Sequence, residues 1–182
     1  MKTKIKPIAL NKKNNFILVF LILAIFVFLY LNERNKVPAE EGVGIKLGQY
    51  APNFETEYLN GSKFELYDLR GKPVILNFWA SWCPPCIREM PALQKFYDET
   101  KVAVIGINLG EDKKTIEEFI KKLNITYPIV LDKDGKIRTA YNLRLRPTTY
   151  FINENGVIKD KKYGELSYNE SLERADKIIK KQ

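Results

Sequence analysis

The sequence predicts a single α/β domain behind an N-terminal membrane helix, and three observations carry that prediction. Apolar runs of strand length at 74–79 and 102–108 alternate with segments whose apolar residues recur every three or four positions. Both cysteines, Cys83 and Cys86, sit at the junction between one such run and the helix that follows it. Ahead of the domain stands an unbroken stretch of sixteen apolar or aromatic residues, Phe16 to Leu31.

A chain of 182 residues with 45% hydrophobic composition has enough apolar surface for one well-cored domain and an appendage, and not for a second full domain. The formal charge of +8 is unevenly placed. Residues 1–36 carry seven Lys/Arg against one acid, a net +6, which leaves only +2 for the rest. A basic terminus beside an apolar run is a membrane-topology signal, so nucleic acid is excluded as a partner. With no histidine in the chain, proton transfer falls to a carboxylate, a thiol or water.

Residues 1–15 read as a basic cytoplasmic segment and 16–32 as a transmembrane anchor. The apolar run is about 24 Å long as a helix against a hydrocarbon core of about 30 Å, and Lys12, Lys13 and Tyr30 suit its interfaces. Five lysines precede the run, while Glu33, Arg34 and Lys36 nearly balance after it, so the positive-inside rule puts the N-terminus in the cytoplasm and the domain outside. A signal peptide cleaved near Val37-Pro38-Ala39 is the alternative, and it too exports the domain. Residues 33–44 read as a tether, overlapping the glycine-containing stretch Val37 to Gly48, and 45–182 as the domain.

Phe54 to Leu59 and Ser62 to Leu66 flank Asn60-Gly61, the signature of a two-residue hairpin. A turn at Arg70 to Pro73 leads into Val74 to Trp79, expected as a central strand buried on both faces. The helix from Pro84 to Thr100 follows, with Pro84 and Pro85 at positions whose N–H groups have no helical partner and Pro91 inside it. Val102 to Asn108 is a second buried strand, and Glu111-Asp112 starts a helix carrying Ile116, Phe119, Ile120 and Leu123. Ile129 to Leu131 is a short strand, Asp134-Gly135 a turn and Ile137 to Asn142 a short helix. Thr148 to Ile152 and Val157 to Tyr163 form a second hairpin around Asn153 to Gly156. Ser167 to Glu170 is a capping box, and Leu172, Ala175 and Ile179 are expected to give the last helix its apolar face.

At a strand-to-helix junction the helix's free N–H groups and positive dipole end favour an anion, so Cys83 at the cap is the candidate nucleophile. Cys86 lies one turn inside and is the candidate resolving thiol. No metal is expected: two cysteines without histidine make a poor zinc shell. A structural bridge across so short a loop adds little chain-entropy stabilisation. A peroxidase cysteine would stand singly among polar neighbours, whereas Ala80, Ser81 and Trp82 precede Cys83. Dithiol–disulfide exchange, which needs no cofactor, is the reading these residues favour.

Three motifs together, Ala51-Pro52-Asn53-Phe54, the block Asn77 to Cys86 and Arg146 to Ile152, resemble the membrane-anchored, thioredoxin-like thiol–disulfide oxidoreductases of the ResA/TlpA type. The resemblance implies a thioredoxin-like fold with an N-terminal β-hairpin and a central helix-plus-strand insertion at about residues 112–131, preceded by one transmembrane helix. It implies that Pro147 is a cis-proline facing the dithiol; an ordinary turn proline before an edge strand is the plainer alternative. Trp82, Pro84, Arg146, Pro147 and Thr148 are then the candidate substrate-binding residues. Arg146 departs from the small or apolar residue expected there, and with Arg144 and Arg138 it reads either as a site for an acidic partner or as a solvated basic face. The resemblance also offers Glu89 as the group that takes the proton of Cys86; a first-turn glutamate satisfied by the helix dipole is the alternative.

Pro84 and Pro85 withhold two backbone donors from a Cys83 thiolate, which favours the disulfide form and so a reductant. The family resemblance agrees, implying reduction of disulfides in exported proteins such as apocytochrome c, with a membrane thiol transporter as electron donor. A disulfide-forming oxidase, a spore-envelope thiol reductase and a non-catalytic membrane-tethered binding module are the alternatives.

Overall fold

The computed structural model describes residues 12–34 and 42–179. Most of the basic segment 1–15, the part of the expected tether at 35–41, with its cleavage-like Val37-Pro38-Ala39, and residues 180–182 lie outside them. The chain divides into two units at the Val37–Pro38 boundary. The first contains helix α1, Lys12–Arg34, whose side chains from Leu18 to Tyr30 are exposed. Among the described residues no helix is long and apolar enough to cross a membrane.

The second unit is built on a five-stranded sheet. Its strands are β3 (Val74–Trp79), β4 (Ala103–Asn108), β5 (Ile129–Leu131), β6 (Thr148–Ile152) and β7 (Ile158–Tyr163), in the order β5-β4-β3-β6-β7. β3 is central and buried along its whole length, which is why it reads as an uninterrupted apolar run with a single polar residue, Asn77. It pairs in parallel with β4, and β4 with β5, while β6 and β7 run antiparallel. Alternate residues of β3 serve opposite cores. Ile75 and Trp79 join Met90, Leu93 and Phe96 of helix α2 (Pro84–Glu99) on one face; Leu76 and Phe78 join Phe54, Phe64, Tyr141 and Tyr150 on the other. Each large side chain so buried contributes about 1.5–3 kcal/mol.

Helix α3 (Lys113–Lys122) starts at Asp112, whose carboxylate accepts the Thr115 N–H at 3.0 Å, and with β5 it forms the inserted helix-plus-strand. Helix α4 is Lys136–Ala140 and α5 is Tyr168–Ala175, the latter opened by the expected Ser167/Glu170 capping box.

Three expectations need correction. The first hairpin, β1 (Glu55–Glu57) with β2 (Lys63–Glu65), does not turn on two residues. The Tyr58 N–H bonds the Ser62 carbonyl, the Gly61 N–H returns to Tyr58, and only Gly61 has positive φ, so the loop has three residues and ends in a left-handed glycine. A tighter turn would need positive φ at both central residues. Tyr58 is meanwhile drawn into a bridge with Val130 of β5.

The apolar face of α5 is also turned by one residue. Ala175 and, just beyond the helix, Ile178 are buried, whereas Leu172 is 38% and Ile179 43% exposed. Ser171 occupies the inner face because its hydroxyl donates to the Ser167 carbonyl within the helix, so burial strands no polar group.

The stretch 42–48 is structured. Gly44 N–H and Tyr50 N–H make reciprocal bonds with the carbonyls of Tyr50 and Gly42, and Gly48 donates to Ile158. The segment therefore belongs to the domain, and its glycines serve turns within it.

Candidate active site

Cys83 is the N-cap of α2, with extended backbone, and Cys86 lies one turn inside. The two are joined as a disulfide, with Cα atoms 5.3 Å apart. Cys83 keeps 5% of its surface exposed and Cys86 none, so of the two residues only the cap residue reaches the surface. Pro84 and Pro85 fill the first helical positions, and no side chain caps the helix. The turn leading into Cys83 is closed by its own N–H, which donates to the Ala80 carbonyl. Trp82, 61% exposed, and Pro84, also exposed, flank the cap on the surface.

The β3–β6 register, Phe78 opposite Thr148, carries the chain before Thr148 to the end of β3 from which the cysteine turn departs. The Arg146–Pro147 peptide is cis, as the resemblance implied. The guanidinium of Arg146 lies over the Trp82 ring at 4.7 Å from its centroid, which ties this loop to the residue beside Cys83. Among the described residues Arg146 has no carboxylate partner. Thr148 is a different case: its side chain is buried and its hydroxyl donates to the Leu145 carbonyl, so that side chain supports the turn from inside.

Glu89 is 1% exposed and lies on the α2 face that carries Cys86, Met90, Leu93 and Phe96. Burial, which penalises the charged form, pushes its carboxyl up to about 8, against the opposing pull of hydrogen bonds from Asn77 and from the Leu166 backbone. Those bonds are 2.7 Å from Asn77 Nδ2 to Oε1 and 2.9 Å from Leu166 N to Oε2. A solvated first-turn glutamate this is not. Asn77 also donates to the Thr149 hydroxyl at 3.0 Å, so strands β3 and β6 together hold the acid against α2.

A further group went unrecognised in the sequence. Glu111, read only as part of a helix start, precedes α3 and turns its carboxylate back toward the cysteine turn, where Ser81 donates to it through both its backbone N–H and its hydroxyl. A Gly-Glu-Asp run after a strand carries no distinguishing signal for this contact, because it closes across thirty residues of sequence. Among the described residues no group of three or more potential metal ligands is found.

The AhpC/TSA family matches residues 47–161. A thioredoxin-like protein, YneN of Bacillus subtilis (strain 168), is 41% identical over 143 residues, covering 76% of this chain and 84% of its own. The thiol-disulfide oxidoreductase ResA of Geobacillus kaustophilus is 37% identical over 167 residues, covering 90% and 92%. Among solved structures, StoA from Bacillus subtilis superposes with a TM-score of 0.60 at 33% identity, over 68% of this chain and 96% of that one.

Proposed function

Because this chain belongs to the AhpC/TSA family and to the thioredoxin-like thiol–disulfide oxidoreductases of the ResA type, we propose that it works as a reductant of disulfides in exported proteins. The observation that carries this reading is the asymmetric pair at the start of α2, one sulfur at the rim and one enclosed, with a buried acid on the same helix face.

In the reduced enzyme the Cys83 thiolate attacks a substrate disulfide. One substrate sulfur leaves as a thiolate and takes a proton from water, and a Cys83–substrate mixed disulfide forms. The Cys86 thiol then gives its proton to the Glu89 carboxylate and attacks the Cys83 sulfur. The second substrate sulfur leaves, the Cys83–Cys86 bond forms, and two electrons have passed to the substrate. In this disulfide form Glu89, with its carboxyl raised to about 8, holds a proton at neutral pH, the state expected after it has accepted one from Cys86. Reduction by an electron donor runs the same steps backwards.

The reducing direction is supported by the helix start. With Pro84 and Pro85 in the first two positions, the first backbone N–H inside the helix belongs to Cys86, so a Cys83 thiolate gains fewer donors than an ordinary helix terminus offers. A less stable thiolate means a more stable disulfide and a lower potential, about 30 mV for each tenfold change in the equilibrium constant. Trp82, Pro84, Arg146 and Pro147 form the surface on which the substrate segment lies, and Thr148 braces it from within.

On the sequence, residues 16–32, with the apolar run Phe16 to Leu31, anchor the protein in the cell membrane, although α1 as described is not by itself long and apolar enough to cross one; the basic segment 1–15 then stays in the cytoplasm and the domain works on the outer face. Apocytochrome c is the candidate substrate and a membrane thiol transporter the electron donor. The test is a trap: Cys86→Ser leaves Cys83 to form mixed disulfides that cannot be resolved. Covalent partners, each bonded to Cys83 through one cysteine of a former disulfide and carrying the other as a free thiol, are expected on non-reducing gels, and their absence, with Cys83 shown to be reactive, overturns the proposal.

A further inference from the structure

The contact between Glu111 and the cysteine turn does more than close a loop. Strand β4 ends at Asn108, which is fully buried and paired with Trp79 of β3. The Trp79 carbonyl accepts the Leu109 N–H, and Gly110, at φ +85°, then turns the chain back. The Asn108 side chain grips the next residues from both sides: its Oδ1 accepts the Glu111 N–H at 3.1 Å and its Nδ2 donates to Glu111 Oε2 at 2.7 Å. A carboxylate aimed in this way from the sheet receives the Ser81 N–H at 2.7 Å on Oε2 and the Ser81 hydroxyl on Oε1. The Glu111 carboxylate is thus satisfied wholly by neutral donors. Among the described residues no lysine or arginine neutralises it.

Ser81 lies two residues before Cys83, and between buried Ala80 and the helix cap the turn has one backbone bond of its own, from Cys83 N–H to the Ala80 carbonyl. Glu111 therefore supplies two of the three hydrogen bonds that fix the turn. Its carboxylate is hydrogen-bonded to a residue two positions before Cys83, on the turn that carries the sulfur. Of the other charged groups at this end, Arg146, over Trp82, carries the opposite charge but makes no bond to Glu111, Arg88 is paired with Glu165 at 2.7 Å, and Glu89 is enclosed among α2, β3 and the segment leading into α5.

We propose that Glu111 is a positioning residue for Cys83, which holds the turn at residues 80–83 and, by its fixed negative charge, disfavours the Cys83 thiolate and lowers the potential of the dithiol. The residue that leads into the inserted segment is thereby hydrogen-bonded to the cysteine turn. This deepens the reading of the dithiol as a reductant.

The test uses the full-length protein in two variants. Glu111→Gln keeps an acceptor and adds a donor for the Ser81 turn while removing the charge; Glu111→Ala removes both. Equilibrating the Cys83–Cys86 pair against a dithiothreitol series needs no protein substrate, so its outcome is separate from that of the Cys86→Ser trap. Glu111→Gln is expected to shift the equilibrium threefold to tenfold toward the dithiol, about 15 to 30 mV, and to speed alkylation of Cys83 at pH 7 by a similar factor. Glu111→Ala is expected to shift it the same way and also to slow disulfide exchange, a loss that Glu111→Gln restores. An unchanged or oppositely shifted equilibrium in Glu111→Gln overturns the proposal, and that result stands even if Glu111→Ala fails to fold.

Discussion

The side-chain amide of Asn77 on the central strand meets the carboxyl of Glu89 on the active-site helix at 2.7 Å, with both residues out of contact with water. An amide can hydrogen-bond the carboxyl in either protonation state, by donating to the anion or by accepting from the acid after its ends exchange. Burial sets which state prevails, and it holds the proton on Glu89 up to about pH 8.

That proton makes stability depend on pH in an unusual direction. The folded value lies above the ordinary 4.5, so between about pH 4.5 and 8 the folded protein keeps a proton that the unfolded chain has released. Stability therefore falls as pH rises through that window and levels off above it, by a total on the order of 5 kcal/mol. Urea unfolding of the oxidised protein at pH 5 and pH 9 should show the difference, and Glu89→Gln should flatten it. The same variant should slow resolution of the mixed disulfide about a hundredfold, within the usual range for removal of an acid–base group. Equal resolution rates in the two proteins would leave Glu89 a structural role only.

Gly106 faces Asn77 across the β3–β4 ladder and Ile129 across β4–β5. A methyl group there would come within 2.5 Å of Ile129 Cδ1, 3.0 Å of Tyr127 and 3.1 Å of Trp79 Nε1. Gly106→Ala is expected to cost about 1–3 kcal/mol by overpacking. Because Trp79 leads into the cysteine turn, exchange should slow as well. Denaturant midpoints measured beside exchange rates would show both effects, and an unchanged midpoint would mean that the side chains yield without strain.

Arg146 sits on the rim of the dithiol with its guanidinium over Trp82 and no carboxylate partner among the described residues. A substrate segment with an acidic residue beside its disulfide should gain from this charge, and one with a lysine should lose. In Arg146→Leu, kcat/KM for the acidic peptide is expected to fall threefold to tenfold and that for the basic peptide to rise, with weaker salt dependence. Folding stability should change by less than about 1 kcal/mol, since the stack is exposed. An equal effect on both peptides would assign Arg146 to packing against Trp82.

Much of this is legible in the sequence. The buried central strand, the cap position of Cys83, the enclosure of Cys86, the capping box at Ser167 and the second hairpin all follow from local rules of periodicity, capping and turn chemistry acting within a few residues. The cis peptide at Pro147 came from family resemblance, since proline alone permits either isomer. The first hairpin turn escaped the same rules because Tyr58 is claimed by Val130, a partner far along the chain. The inner face of α5 escaped them because Ser171 can be buried once its hydroxyl bonds within the helix.

What the sequence by itself determined is the reactive pair and the order of elements that presents it, since both are written in neighbouring residues. Only the tertiary structure decided the electrostatic setting of that pair. Whether Glu89 is a solvated anion or a buried acid, and whether Glu111 faces water or Ser81, depends on which distant segments exclude solvent and supply donors. Desolvation and hydrogen bonding act through space, and residues twelve, thirty and seventy-seven positions apart become neighbours only when the sheet and its helices close.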